Sequence, residues 1–119
     1  MFYKSDDTSG YTTLLGGIEV KTLTHGEKTL TAKFQLAEGS VLPLHKHPHE
    51  QTGYLISGKM EFEIDGEKII AEPGDCWNIG GNVEHSAVVL ADSVVIEVFT
   101  PVRVDYLPGS LARRTKSSG

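Results

Sequence analysis

Lys59-Met60-Glu61-Phe62-Glu63-Ile64-Asp65-Gly66-Glu67-Lys68-Ile69-Ile70-Ala71 carries the period that decides the fold. Met60, Phe62 and Ile64 alternate with Lys59, Glu61, Glu63 and Asp65. Successive side chains of a strand point to opposite faces, so this pattern gives one buried and one wet face. Asp65-Gly66 is the pair that a two-residue hairpin turn favours, and the chain is expected to return through Lys68–Ala71.

The same punctuation continues outward in both directions. Thirteen glycines and five prolines separate short runs of Val, Ile, Thr and Phe, which is how many short strands joined by turns read. Toward the C-terminus, Pro73-Gly74-Asp75 turns into Cys76–Ile79, and Gly80-Gly81-Asn82 loops toward His85. Ser86–Leu90 and Ser93–Thr100 are expected to form a last hairpin across Ala91-Asp92. Val94 to Phe99 is nearly all apolar, which predicts cover on both faces. Toward the N-terminus, Thr52–Ile56 is a strand ended by Ser57-Gly58, and Pro43 holds Val41–His47 extended. Residues 18–24 and 29–37 flank a hairpin at His25-Gly26-Glu27-Lys28, with Leu30, Ala32, Phe34 and Leu36 on one face. No stretch shows a helical period over the usual length. The expectation is one all-β barrel or sandwich domain over residues 1–107, followed by a flexible C-terminal tail over 108–119.

Composition narrows the function classes. The 119 residues carry 16 acidic side chains against 11 Lys and Arg, a formal charge of −5. A nucleic-acid surface needs a basic stripe, so no nucleic-acid partner is expected. The one basic cluster, Arg113-Arg114-Thr115-Lys116, falls in the polar tail. No apolar run approaches the ~18 residues of a membrane span, and Met-Phe-Tyr-Lys-Ser-Asp-Asp turns polar too soon for a signal peptide. A single cysteine, Cys76, allows no internal disulfide and reads as a small core residue. A cytoplasmic location follows as the default.

The chemistry concentrates in Gly39-Ser40-Val41-Leu42-Pro43-Leu44-His45-Lys46-His47-Pro48-His49-Glu50-Gln51. His45 and His47 are two apart, so on an extended strand their imidazoles share a face. Packing explains such a pair poorly, whereas it suits two corners of a metal site. Gly39, His45, His47, Gln51 and Gly58 fall at the spacings of the first cupin motif, with Gln51 where Glu is usual. Gly74 and His85 fit the second motif, although Gly80, Asn82 and Val89 stand where Pro, Gly and Asn are usual. Over roughly residues 30–105 the chain therefore resembles the cupin superfamily. That resemblance implies a double-stranded β-helix (jelly-roll) barrel with His45, His47, Gln51 and His85 converging on one divalent transition metal, Zn, Ni, Mn or Fe. Glu50 in place of Gln51 requires a one-residue slip of register, and His49 reads as a solvent-facing turn residue. A neutral amide ligand leaves the full +2 charge on the metal and makes a stronger Lewis acid than a carboxylate-ligated site.

A second run follows on the last strand, Glu97-Val98-Phe99-Thr100-Pro101-Val102-Arg103-Val104-Asp105-Tyr106-Leu107. Glu97 lies between Ile96 and Val98 on a strand face shared with Phe99, and a carboxylate there is costly unless paired or functional. Arg103 can fold back over the barrel mouth to meet a carboxylate, or close a salt bridge with Glu97. Trp77 and Tyr54 read as aromatic core that can also line a cavity. With this run, the chain resembles the pectin-degradation cupins of the KdgF type, whose acid is typically Asp rather than Glu. The resemblance implies catalytic roles for Glu97, Phe99 and Arg103 in opening 4,5-unsaturated uronates to linear keto acids. It also implies a small anionic sugar-acid partner and a homodimer. The rival expectations are another metal-dependent cupin, such as an Fe(II) dioxygenase, and a non-catalytic sugar-binding cupin.

Overall fold

A computed structural model describes residues 1–5, 7 and 9–112. Eight antiparallel strands follow in order: β1 (Thr12–Leu15), β2 (Ile18–His25), β3 (Leu30–Leu36), β4 (Val41–His45), β5 (Glu50–Ile64), β6 (Glu67–Ala71), β7 (Cys76–Ile79) and β8 (His85–Thr100). They pair in the order β1-β2-β3-β8-β5-β6, with β4 added on β8 and β7 on β5. The fold is the all-β cupin barrel, and its architecture rests on two long strands. The first half of β5 and second half of β8 pair with each other and carry β7 and β3 on their outer edges. The second half of β5 and first half of β8 likewise carry β6 and β4. Both strands thus serve two sheets.

Alternation fills the space between these sheets. Ile18 and Val20 of β2, Leu30 and Ala32 of β3, Leu55 and Met60 of β5, and Val89 of β8 are all at most 1% exposed. The two long strands change sheet at a matched irregularity, where the register shifts between Leu55 and Met60 on β5. Gly58 sits there at φ +99°, and a Cβ on it would collide with the Ser93 side chain and the Asp92 carbonyl. The Ser93 hydroxyl ties the corner together: it accepts from the Lys59 amide at 3.1 Å and donates to the Ala91 carbonyl at 2.7 Å. The hairpin expected at Ala91-Asp92 is therefore absent, and β8 runs through as one strand of 16 residues. No glycine follows Asp92 to complete the pair that a tight hairpin turn favours, and β5 offers a partner along the length of β8. At the Asp65-Gly66 turn the expectation is met, with φ of 50° and 81°.

Other expectations change in detail. Along β8, Val95, Glu97 and Phe99 are buried, but Val94, Ile96 and Val98 are only half-buried, so cover on both faces is incomplete. Cys76 is exposed rather than core. It pairs with Tyr54, itself 46% exposed, on the outward face, while the next residues in alternation, Trp77 and Ile79, turn inward. The domain also continues past residue 107. Residues 108–112 are helical and Leu111 is 5% exposed against the core; the remainder of the tail, with its basic cluster, lies outside the described residues. No helix among the described residues is long and apolar enough to cross a membrane.

A Gly58→Ala substitution tests the corner. The added methyl meets both a positive φ and the β8 backbone, so the variant should lose roughly 2–3 kcal/mol of unfolding free energy, read by denaturant titration. Unchanged stability would mean that the corner is not close-packed.

Candidate metal centre

Register places the imidazoles. His45, at the end of β4, pairs directly with His85, at the start of β8, and their ring centroids lie 4.2 Å apart. His47 follows two residues on, its ring 5.7 Å from His45 and 5.0 Å from His85. The loop before His85 supports it: the Asn82 amide donates to the His47 carbonyl at 2.7 Å. Asn82 adopts φ 61°, a conformation that Asn tolerates nearly as Gly does, which accounts for Asn at a position where Gly is usual.

The three rings are held alike. Each Nδ1 donates to a backbone carbonyl two residues away: His45 to Pro43 at 2.7 Å, His47 to His49 at 3.0 Å, and His85 to Val83 at 2.8 Å. A carbonyl only accepts, so these bonds put the proton on Nδ1 and leave Nε2 as a lone-pair donor on every ring. One nitrogen from each ring lies within 4.8 Å of the others. His47 Nε2 and Gln51 Oε1 are buried without a hydrogen-bond partner. Orphaned buried lone pairs are expensive, and a cation among them relieves that cost. The residues fit a divalent metal.

Gln51 enters from β5, 7% exposed, in the row Ile79–Gln51–Phe99. Its Nε2 donates to Glu97 Oε2, which fixes the amide oxygen as the atom without a partner. Glu50 points outward and accepts from Asn78 at 3.0 Å, so the one-residue slip does not occur. His49 is half-buried, its ring 5.5 Å from that of His47, rather than solvent-facing. Its backbone carbonyl is what orients His47.

Glu97 lies in the next row, Trp77–Gly53–Glu97, across β7, β5 and β8. It is 5% exposed, and both carboxyl oxygens are engaged, Oε2 by Gln51 and Oε1 by Trp77 Nε1 at 2.8 Å. Burial pushes its carboxyl up to about 7, against the opposing pull of the Trp77 bond, the Arg103 charge and the Gln51 bond. No Glu97–Arg103 salt bridge forms. Instead Arg103 Nε donates to Asp105 at 3.1 Å, and the guanidinium lies 4.0 Å from the Tyr106 ring centroid and 5.1 Å from that of Phe99. The chain reaches this position through a cis Thr100–Pro101 peptide and a short 3₁₀ turn, η1 (Val104–Tyr106). Burial, then the Arg103 and His85 charges, push His47 down to about 4; burial first, also offset by the Val83 bond, lowers His85.

His45, Gln51, His85, Glu97, Phe99 and Arg103 line one cavity of about 60 Å³, floored by Phe34, Met60, Phe62 and Val95. An outer cleft of about 220 Å³ shares Leu42, His45, Arg103 and Tyr106 with it. Trp77 and Tyr54 do not line the cavity. Tyr54 faces outward; Trp77 packs on Phe62, ring centroids 4.5 Å apart, and reaches Glu97 from behind. The sequence carried one signal of that contact, a glycine at position 53 between two strand residues.

An antiparallel barrel with an inward His-x-His pair and a distant third histidine defines a class of small metal-site barrels. The chain belongs to the cupin family, matching the cupin domain over residues 32–99. It is 35% identical over 107 residues to the pectin degradation protein KdgF of Dickeya dadantii (strain 3937), covering 88% of this chain and 97% of that one. The structure of KdgF from Halomonas sp. superposes with a TM-score of 0.84 at 32% identity, covering 90% and 98% of the two chains. An RmlC-like cupin from Shewanella frigidimarina NCIMB 400 superposes at 0.83 with 23% identity over 88% and 95%, a likeness of fold alone.

Two outcomes test this centre in the metal-free protein. Excess Zn²⁺ should raise the melting temperature, by about 2.7 kcal/mol of stability at a hundredfold over Kd, and chelation should reverse it; His85→Ala should abolish the rise. The second outcome concerns pH. Between 4.5 and about 7, native Glu97 keeps a proton that the unfolded chain has lost, so its contribution makes stability fall as pH rises. His47 and His85, both lowered by burial, act oppositely, because around pH 6.5 the unfolded chain holds protons that the native rings refuse. The Glu97 contribution is therefore read as a difference: from pH 6.5 to 8 the wild type should lose about 1 kcal/mol of unfolding free energy relative to Glu97→Gln, by denaturant titration at each pH.

Proposed function

We propose that this protein opens 4,5-unsaturated uronates, the products of pectin or alginate breakdown, to linear keto acids with a divalent metal at His45, His47, Gln51 and His85. The observation that carries this reading is one buried carboxyl, Glu97, sharing a cavity with the imidazole cluster and an arginine. The likeness to KdgF proteins over most of the chain supports it.

The substrate is a cyclic hemiacetal whose ring oxygen sits on an alkene carbon. Opening it takes the proton from the anomeric hydroxyl and breaks the bond between the anomeric carbon and the ring oxygen. An aldehyde and an enolate result. Protonation at the far alkene carbon completes the ketone, so a proton moves and no electron is exchanged with a cofactor. A bound divalent cation would supply Lewis acidity to substrate oxygens. Glu97 accepts the hydroxyl proton and returns it to carbon; a carboxyl held near 7 is suited to both halves. Arg103 docks the substrate carboxylate, its Nε held by Asp105 and its face by Tyr106. Phe99, 1% exposed at the cavity wall, packs on the sugar face.

Metal-loaded protein incubated with 4,5-unsaturated galacturonate should speed the loss of alkene absorbance well above the spontaneous rate. Glu97→Gln, at saturating metal, should lower kcat by ~10²–10⁴. Arg103→Ala should weaken binding of carboxylates while sparing neutral sugars. No acceleration by the wild type sinks the proposal. Oxygen consumption dependent on iron would favour a dioxygenase instead, and binding without turnover a sugar-binding module.

A further inference from the structure

Gln51 has two nearly isosteric amide orientations, and only one offers oxygen to a metal. The other would aim N–H donors at the cation and the oxygen at Glu97. We infer that a hydrogen-bonded chain from Trp77 through Glu97 to Gln51 sets this orientation, with Trp77 as a positioning residue and Gly53 as the gap through which it reaches. The inference rests on the metal reading above and assigns Glu97 a second task beside proton transfer.

The geometry runs in one line. Trp77 and Glu97 flank Gly53 as cross-strand neighbours, Trp77 on β7 and Glu97 on β8. A Cβ on Gly53 would collide with the indole, at Nε1, Cε2 and Cζ2. The missing side chain is therefore what lets the indole pass over β5 and place Nε1 at 2.8 Å from Glu97 Oε1. That bond, with the packing of the indole on Phe62, fixes the plane of the carboxyl. Oε2 then faces Gln51 Nε2 and accepts from it. The unpartnered Gln51 Oε1 is the end of the chain, turned away from Glu97. With Oε1 accepting from Trp77 and Oε2 from Gln51, the carboxyl favours this amide orientation over the flipped one, and partners behind metal ligands commonly govern affinity in this way.

Zn²⁺ titration of the metal-free protein by calorimetry tests it. Trp77→Phe, which keeps an aromatic ring but removes the donor, should weaken Zn²⁺ binding about tenfold. Gly53→Ala, which keeps the donor but displaces it, should weaken binding similarly. If Trp77 acts through Glu97, Trp77→Phe should cost less than about twofold further in a Glu97→Gln background. Equal losses in both backgrounds would mean a merely structural role and overturn the inference, as would wild-type affinity in Trp77→Phe. Either result would leave the metal reading intact, whereas a wild type that takes up no Zn²⁺ ends both. The wild type gives an independent readout, because Trp77 is the only tryptophan. Its single indole N–H resonance should be protected from exchange and shift stoichiometrically with Zn²⁺. A rapidly exchanging resonance that Zn²⁺ leaves unmoved overturns the inference even if the variants do not fold.

Discussion

Antiparallel pairing of β5 with β8, from Glu50–Thr100 at one end to Ile64–His85 at the other, is the constraint on which the rest depends. Strand side chains alternate strictly, so one slip of register would turn every inward residue outward. Burying Leu55, Val95 and Met60 selects the register that is seen. The polar residues inherit their positions from that choice. Gln51 and Gly53 lie on the inward face four and two residues before Leu55, and Glu97 and Phe99 follow Val95 by two and four. Because the pair bends through the Gly58 corner and closes into a barrel, His85 at the start of β8 lines the same cavity as Phe99 near its end.

The electrostatics of the site follow from what this packing encloses. An apolar floor of Phe34, Met60, Phe62 and Val95 sets a medium in which charged groups are poorly solvated. Burial in this packing pushes the Glu97 carboxyl up to about 7 and, with the Arg103 and His85 charges, the His47 imidazole down to about 4. Both effects favour uncharged side chains near neutral pH, and neutral imidazole is the form that binds a metal. Gln51 looks, from the sequence, like the loss of a compensating negative charge. The hydrogen bond behind it revises that view. The carboxyl stands one residue further out, bonded to the amide nitrogen rather than placed on the metal. In the proposed site the cation keeps a neutral ligand set while an ionisable group remains next to it, free to take and return a proton.

Much of this was legible in the chain because periodicity and spacing are local properties. The Met60–Ala71 hairpin, the inward face of β3 and the pairing of His45 with His47 on one face follow from alternation and turn residues alone. What eluded sequence reading depends on which distant strand becomes a partner. Ala91-Asp92 looked like a turn because it interrupts an apolar run; β5 converts the same interruption into a corner. Cys76 looked like core because it is small and apolar, yet its register with Tyr54 puts it outside. Arg103 and Glu97 are oppositely charged and close in sequence, yet Arg103 is held by Asp105 and two aromatic rings. The contact from Trp77 to Glu97 was hidden for the same reason: Gly53 signals a close approach, but no local pattern says which side chain of which strand makes it.

The division of labour between strands and connections gives these parts a common logic. Gln51, Glu97 and Phe99 lie within long paired strands, and His45 and His85 are bonded partners at strand ends. Groups that must hold a cation or transfer a proton need positions good to a fraction of an ångström, which paired strands provide. His47, just past β4, and Arg103, after β8, stand on connections, and their restraints differ accordingly: bonds at His49 and Asn82 hold His47. An ion pair with Asp105 two residues on and the faces of Tyr106 and Phe99 hold the guanidinium, while the Thr22 hydroxyl and the Phe99 ring pin Tyr106 itself. Phe99 thereby joins the two systems: it is a strand residue paired with Gln51 on one side and a platform for Arg103 on the other. Arg103 on the connection is consequently tied, through one aromatic ring, to the same register that places Gln51 and His85.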